Sequence, residues 1–244
     1  MRHAPGTVLQ RLFAIRQTHL AAGYMDPLEG RKRVWLAVKG LKRRYGAGRR
    51  KLPVTPAIRG TLAPETQPDD AILWAALNLD FFYLMRVGKY AHSGGWDTRT
   101  VLTPADLRPQ RGGVPCEYRE AEELLLYFKK SKADQEGAGA MRNHYATGED
   151  LCPVQAMRWV HQHLGARMRA VPHLPVFRYQ SGAPLMRAQL QAVLERAAVA
   201  LGLPPDRYRT HSLRIGGATA LCHINPDTEV IKRWGRWSSG AFPG

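Results

Sequence analysis

The chain has 244 residues, a hydrophobic fraction of 44% and a formal net charge of +16 at pH 7. That apolar content supports a proper core, and the length suits one large domain or two small ones. A charge this positive speaks against an ordinary metabolic enzyme and for a polyanionic partner, of which nucleic acid is the commonest.

Thirteen Lys and Arg stand against Asp26 and Glu29 in residues 1–51, so +11 of the +16 sits in this fifth of the chain. Two helices are expected here. The first spans about 7–21, with Leu9, Leu12, Phe13 and Leu20 at helical spacing. The second spans about 31–45, where Val34, Val38, Leu41 and Tyr45 form an apolar stripe. Lys32, Lys39 and Arg43 form the opposite stripe. A charged stripe is most often a solvated face. An all-basic one costs stability by like-charge repulsion and points to the DNA backbone. Gly46, Gly48, Arg49, Arg50, Lys51 and Pro53 read as a linker, and the boundary falls between domains 1–51 and 52–244.

In the second domain Asp69 and Asp70 are expected to cap a buried helix over 71–88, which holds Asn78 and Asp80 within an apolar run too short to span a bilayer. It carries Arg86 near its end. Alone, such an arginine reads as a macrodipole partner reaching for water. Short strands follow at about 100–107, 124–130 and 141–145, with Pro104 confining the first to an edge. Lys132 stands at the tip of the hairpin between the last two. Cys152-Pro153 opens a helix to about 164, and a helix over 185–201 shows a plain core stripe. Cys116, Cys152 and Cys222 lie far apart, which gives neither a zinc site nor a disulfide framework and implies a reducing, intracellular compartment. The first residues, Met-Arg-His-Ala-Pro, show no apolar run of the signal-peptide kind.

Near the end comes His211-Ser-Leu-Arg214-Ile-Gly216-Gly217-Ala-Thr-Ala. On a helix, His211 and Arg214 share a face and reach one anionic group. Gly216 and Gly217, each about 1 kcal/mol worse than Ala within a helix, suit a place where another backbone or a ligand comes close. Asn225 and Pro226 read as the cap and first residue of a last helix ending near Gly235, followed by Arg236-Trp237-Ser-Ser.

These motifs resemble the tyrosine recombinases, in particular those of Crypton- and DIRS-type mobile elements. The likeness is specific over 208–242, fair around Leu84-x-Arg86-x-Gly88 and Ser131-Lys132-x-Asp134-Gln135, and weak before residue 51. It implies a mainly α fold with a small β-sheet (α+β): a catalytic domain preceded by a short helical DNA-binding segment, incomplete beside the four or five helices of relatives. It implies catalytic roles for Arg86, Lys132, His211, Arg214, Arg236 and Trp237, with Lys130 as fallback for Lys132. Lys32, Lys39, Arg43, Arg49, Arg50 and Lys51 are the expected DNA-binding cations. No carboxylate cluster suits a metal, so neither metal nor cofactor is expected. The implied partner is double-stranded DNA, with self-association on DNA, no membrane, and an intracellular location on DNA (the nucleus in a eukaryote).

Two departures are visible. A Glu usually follows the glycine after the first arginine, and here it is Lys89. The family's nucleophilic tyrosine, counted from Ala241 and Phe242, falls one position beyond Gly244; Tyr208 lies on the wrong side of the motif. The expectation is therefore a recombinase or integrase lineage, truncated before its tyrosine. The alternative is a catalytically dead DNA-binding module or decayed mobile-element fragment. A generic basic protein is disfavoured, because the motifs fall in the family's order and no aromatic motif of an RNA-recognition sheet is present.

Overall fold

The computed structural model describes residues 4–45, 51–60, 67–130, 134 and 136–237. Two compact units result, Met1–Arg50 and Lys51–Gly244. In the first, α1 (Pro5–Ala21) starts with proline in its first turn, where the missing N–H is no loss. The second helix, α2 (Lys32–Tyr45), buries Val38 and half-buries Val34 and Leu41, while Lys32, Lys39 and Arg43 stand exposed. Phe13 and Trp35 meet with ring centroids 6.1 Å apart, and Asp26 ties the intervening turn to Arg16 Nε at 2.6 Å. No residue of α1 is buried, so this unit holds little core of its own.

The second unit is built around α4 (Pro68–Tyr83), which follows the short α3 (Pro56–Gly60). The sequence of α4 is apolar nearly all round, and that is the pattern of a helix enclosed on every side. Eleven of its residues are buried, Trp74, Leu77, Leu79 and Tyr83 among them. It packs against α5 (Pro153–Ala170) and α7 (Thr210–Ile224). Beyond lie α6 (Arg187–Ala200) and α8 (Thr228–Gly235). The strands β1 (Leu107–Arg111), β2 (Val114–Pro115), β3 (Glu123–Phe128) and β4 (Ala140–Tyr145) form one antiparallel sheet in the order β2-β1-β3-β4. Leu124, Leu126 and Phe128 point one way into the core, the alternation expected of a half-buried strand. Tyr83 Oη donates to Leu124 O at 2.5 Å and joins α4 to that sheet.

The helix opened by Pro153 runs past the expected end at about 164 to Ala170, and three further boundaries move, each for a local reason. The central helix begins at Pro68 behind the cap position Gln67 and stops at Tyr83, because Leu84 turns left-handed at φ 47°. Arg86 therefore stands on extended backbone after the helix. The strand expected over 100–107 starts only at Leu107: Pro104 opens a tight turn in which Asp106 Oδ2 accepts the Thr103 amide and hydroxyl, both at 2.8 Å. The last helix starts at Thr228, capped by Asp227, which accepts the Glu229 amide at 2.8 Å; Asn225 instead holds the Asp227 amide at 2.9 Å. β2 had no anticipated counterpart.

Gly216 and Gly217 find their reason in backbone. A Cβ on Gly216 would drive into Val54 O, and one on Gly217 into Phe81 O. Ser212 O accepts the Val54 amide at 3.0 Å, so the chain entering the domain lies along α7. Either glycine replaced by Ala should lose several kcal/mol in urea unfolding, since backbone cannot yield as a side chain does. Gly40→Ala, in α2 with nothing within 4 Å, should instead be neutral or gain up to about 1 kcal/mol. Equal effects at the three positions would contradict this packing.

Candidate active site

A helix ends with carbonyls that have no partner within it. At the end of α4 three of these are taken by side chains from elsewhere in the chain. Phe82 O accepts from His144 Nε2 at 2.7 Å and from Trp234 Nε1 at 3.2 Å. Arg236 Nη2 donates to Tyr83 O at 3.2 Å and Leu84 O at 3.0 Å. Arg236 is left-handed at φ 56°, and its guanidinium lies 3.6 Å from the Phe128 ring centroid. A cation is favoured at the negative end of a helix dipole, which adds to these bonds.

Arg214, in the first turns of α7, is 2% exposed. Its Nη2 donates to Gly235 O, and its guanidinium lies 4.4 Å from the Trp237 ring centroid. Gly235 is required here because the Trp237 ring fills the place of a Cβ. His211, three residues before Arg214, lies at the surface on the same side of α7. Arg86 is half-buried.

The electrostatics tie these groups together. Burial, then repulsion by Arg86, lowers Arg214 to about 10, with Asp80 acting the other way. Burial lowers Arg236 to about 9, helped by Arg214, Arg142 and Arg86. Burial lowers Arg86 as well. His211 falls below the usual histidine range through desolvation first, then the charges of Arg214 and Arg86. All three arginines remain cations at neutral pH, and His211 is mostly neutral. Arg86, Arg214 and Arg236 thus crowd their charges into one neighbourhood beside the neutral His211, at a cost that an incoming anion would relieve.

Lys89, at the position where an acid was expected, turns its ammonium onto two carbonyls, Thr100 O at 2.9 Å and Lys130 O. Burial, followed by Arg236, Lys129 and Arg86, brings it down to about 8. Lys51 donates to Asp206 O at 2.9 Å. Tyr208 is buried at 5% exposure. Lys132, Arg49 and Arg50 lie outside the described residues, whereas Lys130 is described through the carbonyl just named. Among the described residues no three His, Cys, Asp or Glu side chains gather as metal ligands, and no helix is long and apolar enough to cross a membrane.

In the sequence Asp80 reads only as a polar interruption of an apolar helix. It is fully buried, with Tyr90 Oη donating to its Oδ2. Burial raises its carboxyl to about 8; the Tyr90 bond, Arg214, Arg236 and the Met85 amide pull it back only partly. An acid inside an otherwise apolar helix was the signal available.

No protein-family model matches the sequence, and no curated protein sequence does. Solved structures do match in fold. XerH site-specific recombinase bound to difH substrate, in a pre-cleavage complex, superposes with a TM-score of 0.53 at 16% identity, covering 78% of this chain. The XerH post-cleavage complex on palindromic difH gives 0.52 at 15% identity, again over 78% of this chain. XerA recombinase gives 0.47 at 13% identity over 98% of this chain and 69% of its own. The chain spans 48% of the length of the XerH chains it matches. The chain, mainly helical with a small four-stranded antiparallel sheet, matches the tyrosine-recombinase catalytic-domain fold.

Asp80 gives a stability prediction with a definite sign. Its folded value, about 8, lies above the ordinary carboxyl value of 3.8. The folded state therefore binds the extra proton, and stability is lost as pH rises from about 4 to about 8. Asp80→Asn does not titrate. It should be more stable than the parent at pH 7, by a few kcal/mol at about 1.4 kcal/mol per unit, with the gain shrinking toward pH 4. Urea unfolding at pH 4 to 8 reads this directly. A variant less stable at pH 7 would mean that Asp80 is ionised and paired with the arginines.

Proposed function

We propose that the second unit is the catalytic domain of a DNA breaking-and-rejoining recombinase or integrase, and that the cation cluster holds the scissile phosphate. The observation that carries this reading is the gathering of Arg86, His211 and Arg214 around the head of α7, with Trp237 stacked on Arg214. Fold similarity to XerH bound to its difH substrate supports it. Two always-charged planar donors match the non-bridging oxygens of a phosphodiester and oppose the charge that grows on it in the transition state. His211, mostly neutral, accepts or donates a proton at a phosphate oxygen. Lys132 is the proposed proton donor to the leaving 5′ oxygen. A tyrosine attacks phosphorus, the P–O bond to the 5′ oxygen breaks, and a 3′-phosphotyrosyl link forms. A 5′ hydroxyl from a second DNA end reverses the step, so bond energy is conserved. Arg236 enters this scheme in a supporting place: its bonds to Tyr83 O and Leu84 O fix the segment leading to Arg86.

The first unit is proposed as a DNA-backbone contact, with Lys32, Lys39 and Arg43 as its exposed cations. Self-association on DNA and kinship with Crypton- and DIRS-type elements belong to the same reading. Duplex binding should weaken about 10³-fold or more between 50 and 200 mM salt if six or more phosphates are neutralised. Reversing the charge of Lys32, Lys39 and Arg43 together should weaken binding alike on unrelated sequences and flatten that salt slope. Salt-independent binding, or an unaffected triple variant, would remove the basic helix from the interface.

Cleavage is tested with a nicked suicide duplex, trapping covalent protein–DNA adduct in denaturant. The chain extended past Gly244 by a tyrosine should give an adduct, and Arg86→Ala or Arg214→Ala should reduce its rate about 10²-fold or more. The unextended chain is the control for the site of attachment. No adduct from the extended chain, with binding intact, would favour a DNA-binding module without cleavage.

A further inference from the structure

Asp80 stands one turn below Leu84 on α4, and its own carbonyl takes the Met85 amide at 3.1 Å. It therefore underlies the carbonyls that hold Arg236. From the other side, α7 meets α4 where Gly217 admits Phe81 O, and Arg214 is one turn before that contact. The two arginines thus flank a carboxyl that no solvent reaches. Oδ2 is occupied by Tyr90, while Oδ1 has no hydrogen-bond partner among the described residues; Arg214 Nε is likewise buried without one.

We infer that Asp80 is a positioning residue for the phosphate pocket, setting how much of the Arg214 and Arg236 charge is offered to the DNA while never touching the DNA itself. The inference rests on the recombinase reading of that pocket. A protonated Asp80 leaves both guanidinium groups their full pull on phosphate. An ionised Asp80 takes a share of that pull from beneath. Three side chains that titrate or carry charge act on it: Tyr90 from the segment after α4, Arg214 from α7, and Arg236 at the end of α8. The Tyr90 phenol is held well above its ordinary value by burial and by Asp80, so it does not enter the neutral range. Lys89 titrates near 8 but is common to every variant compared.

The experiment measures duplex affinity from pH 6.5 to 9.5 at fixed ionic strength for the parent chain, Asp80→Asn and Tyr90→Phe. Asn keeps an acceptor for Tyr90 and cannot ionise. Contacts made by the basic helices cancel in the ratio of parent to Asp80→Asn. That ratio should fall several-fold between pH 7 and 9, with a midpoint near 8, and stay near one below pH 7. Tyr90→Phe removes a bond that stabilises the carboxylate, so its midpoint should move upward; it also preserves the test if Asp80→Asn fails to fold. Parallel profiles for the parent and both variants would overturn the inference while leaving the pocket intact. A constant loss at every pH in Asp80→Asn would reduce Asp80 to packing. Absence of duplex binding by the parent at every pH would overturn pocket and inference together.

Discussion

Everything at the candidate site depends on how the C-terminal end of α4 is satisfied. A buried helix end with open carbonyls is costly, since each unpaired polar group forfeits its water without return. Here His144 from β4, and Trp234 and Arg236 from α8 and its cap, supply the missing donors. The left-handed turns at Leu84 and Arg236 are the two non-glycine residues at positive φ among those described, and they face each other through one of these bonds. Backbone strain of about 1–3 kcal/mol persists where neighbours over-determine it. The cap thus joins elements some 150 residues apart in sequence, and Arg86 leaves α4 immediately beside it.

The second theme is uncompensated positive charge. Arg86 lowers both Arg214 and Arg236, Arg214 lowers Arg236 further, and among the described residues Asp80 is the acid that opposes these two shifts. Its own carboxyl is raised by burial, so it relieves little of this field near neutral pH. A fold selected for stability alone would not keep three arginines so close. Stored repulsion of this kind is relieved by an anionic ligand, which is why a phosphate suits the place better than a neutral substrate.

Much of this was legible in the sequence. The helices of 185–201 and 31–45 and the strand before Lys132 follow from apolar periodicity, because each has one buried or half-buried face. Gly216 and Gly217 announced a close approach, although the sequence could not say whether backbone or ligand was the visitor; Val54 and Phe81 answer that. What failed was local: the end of α4 was placed five residues too far, because no Gly or Pro marks the left-handed turn at Leu84. The strand over 100–107 was misplaced because the Thr103–Asp106 cap outweighed β-propensity. Lys89 looked like a defect beside Arg86, yet its hydrogen bonds run to carbonyls of Thr100 and Lys130. Such long-range bonds leave no periodic trace.

The central claim is that Arg86 and Arg214 serve one phosphate. The most direct measurement is a crystal structure of the chain soaked with tungstate, a heavy phosphate mimic located by its anomalous signal. The account predicts one tungstate at the head of α7, hydrogen-bonded to both Arg86 and Arg214 with His211 beside it. Tungstate bound only elsewhere, or Arg86 and Arg214 each holding its own separate ion, would contradict it.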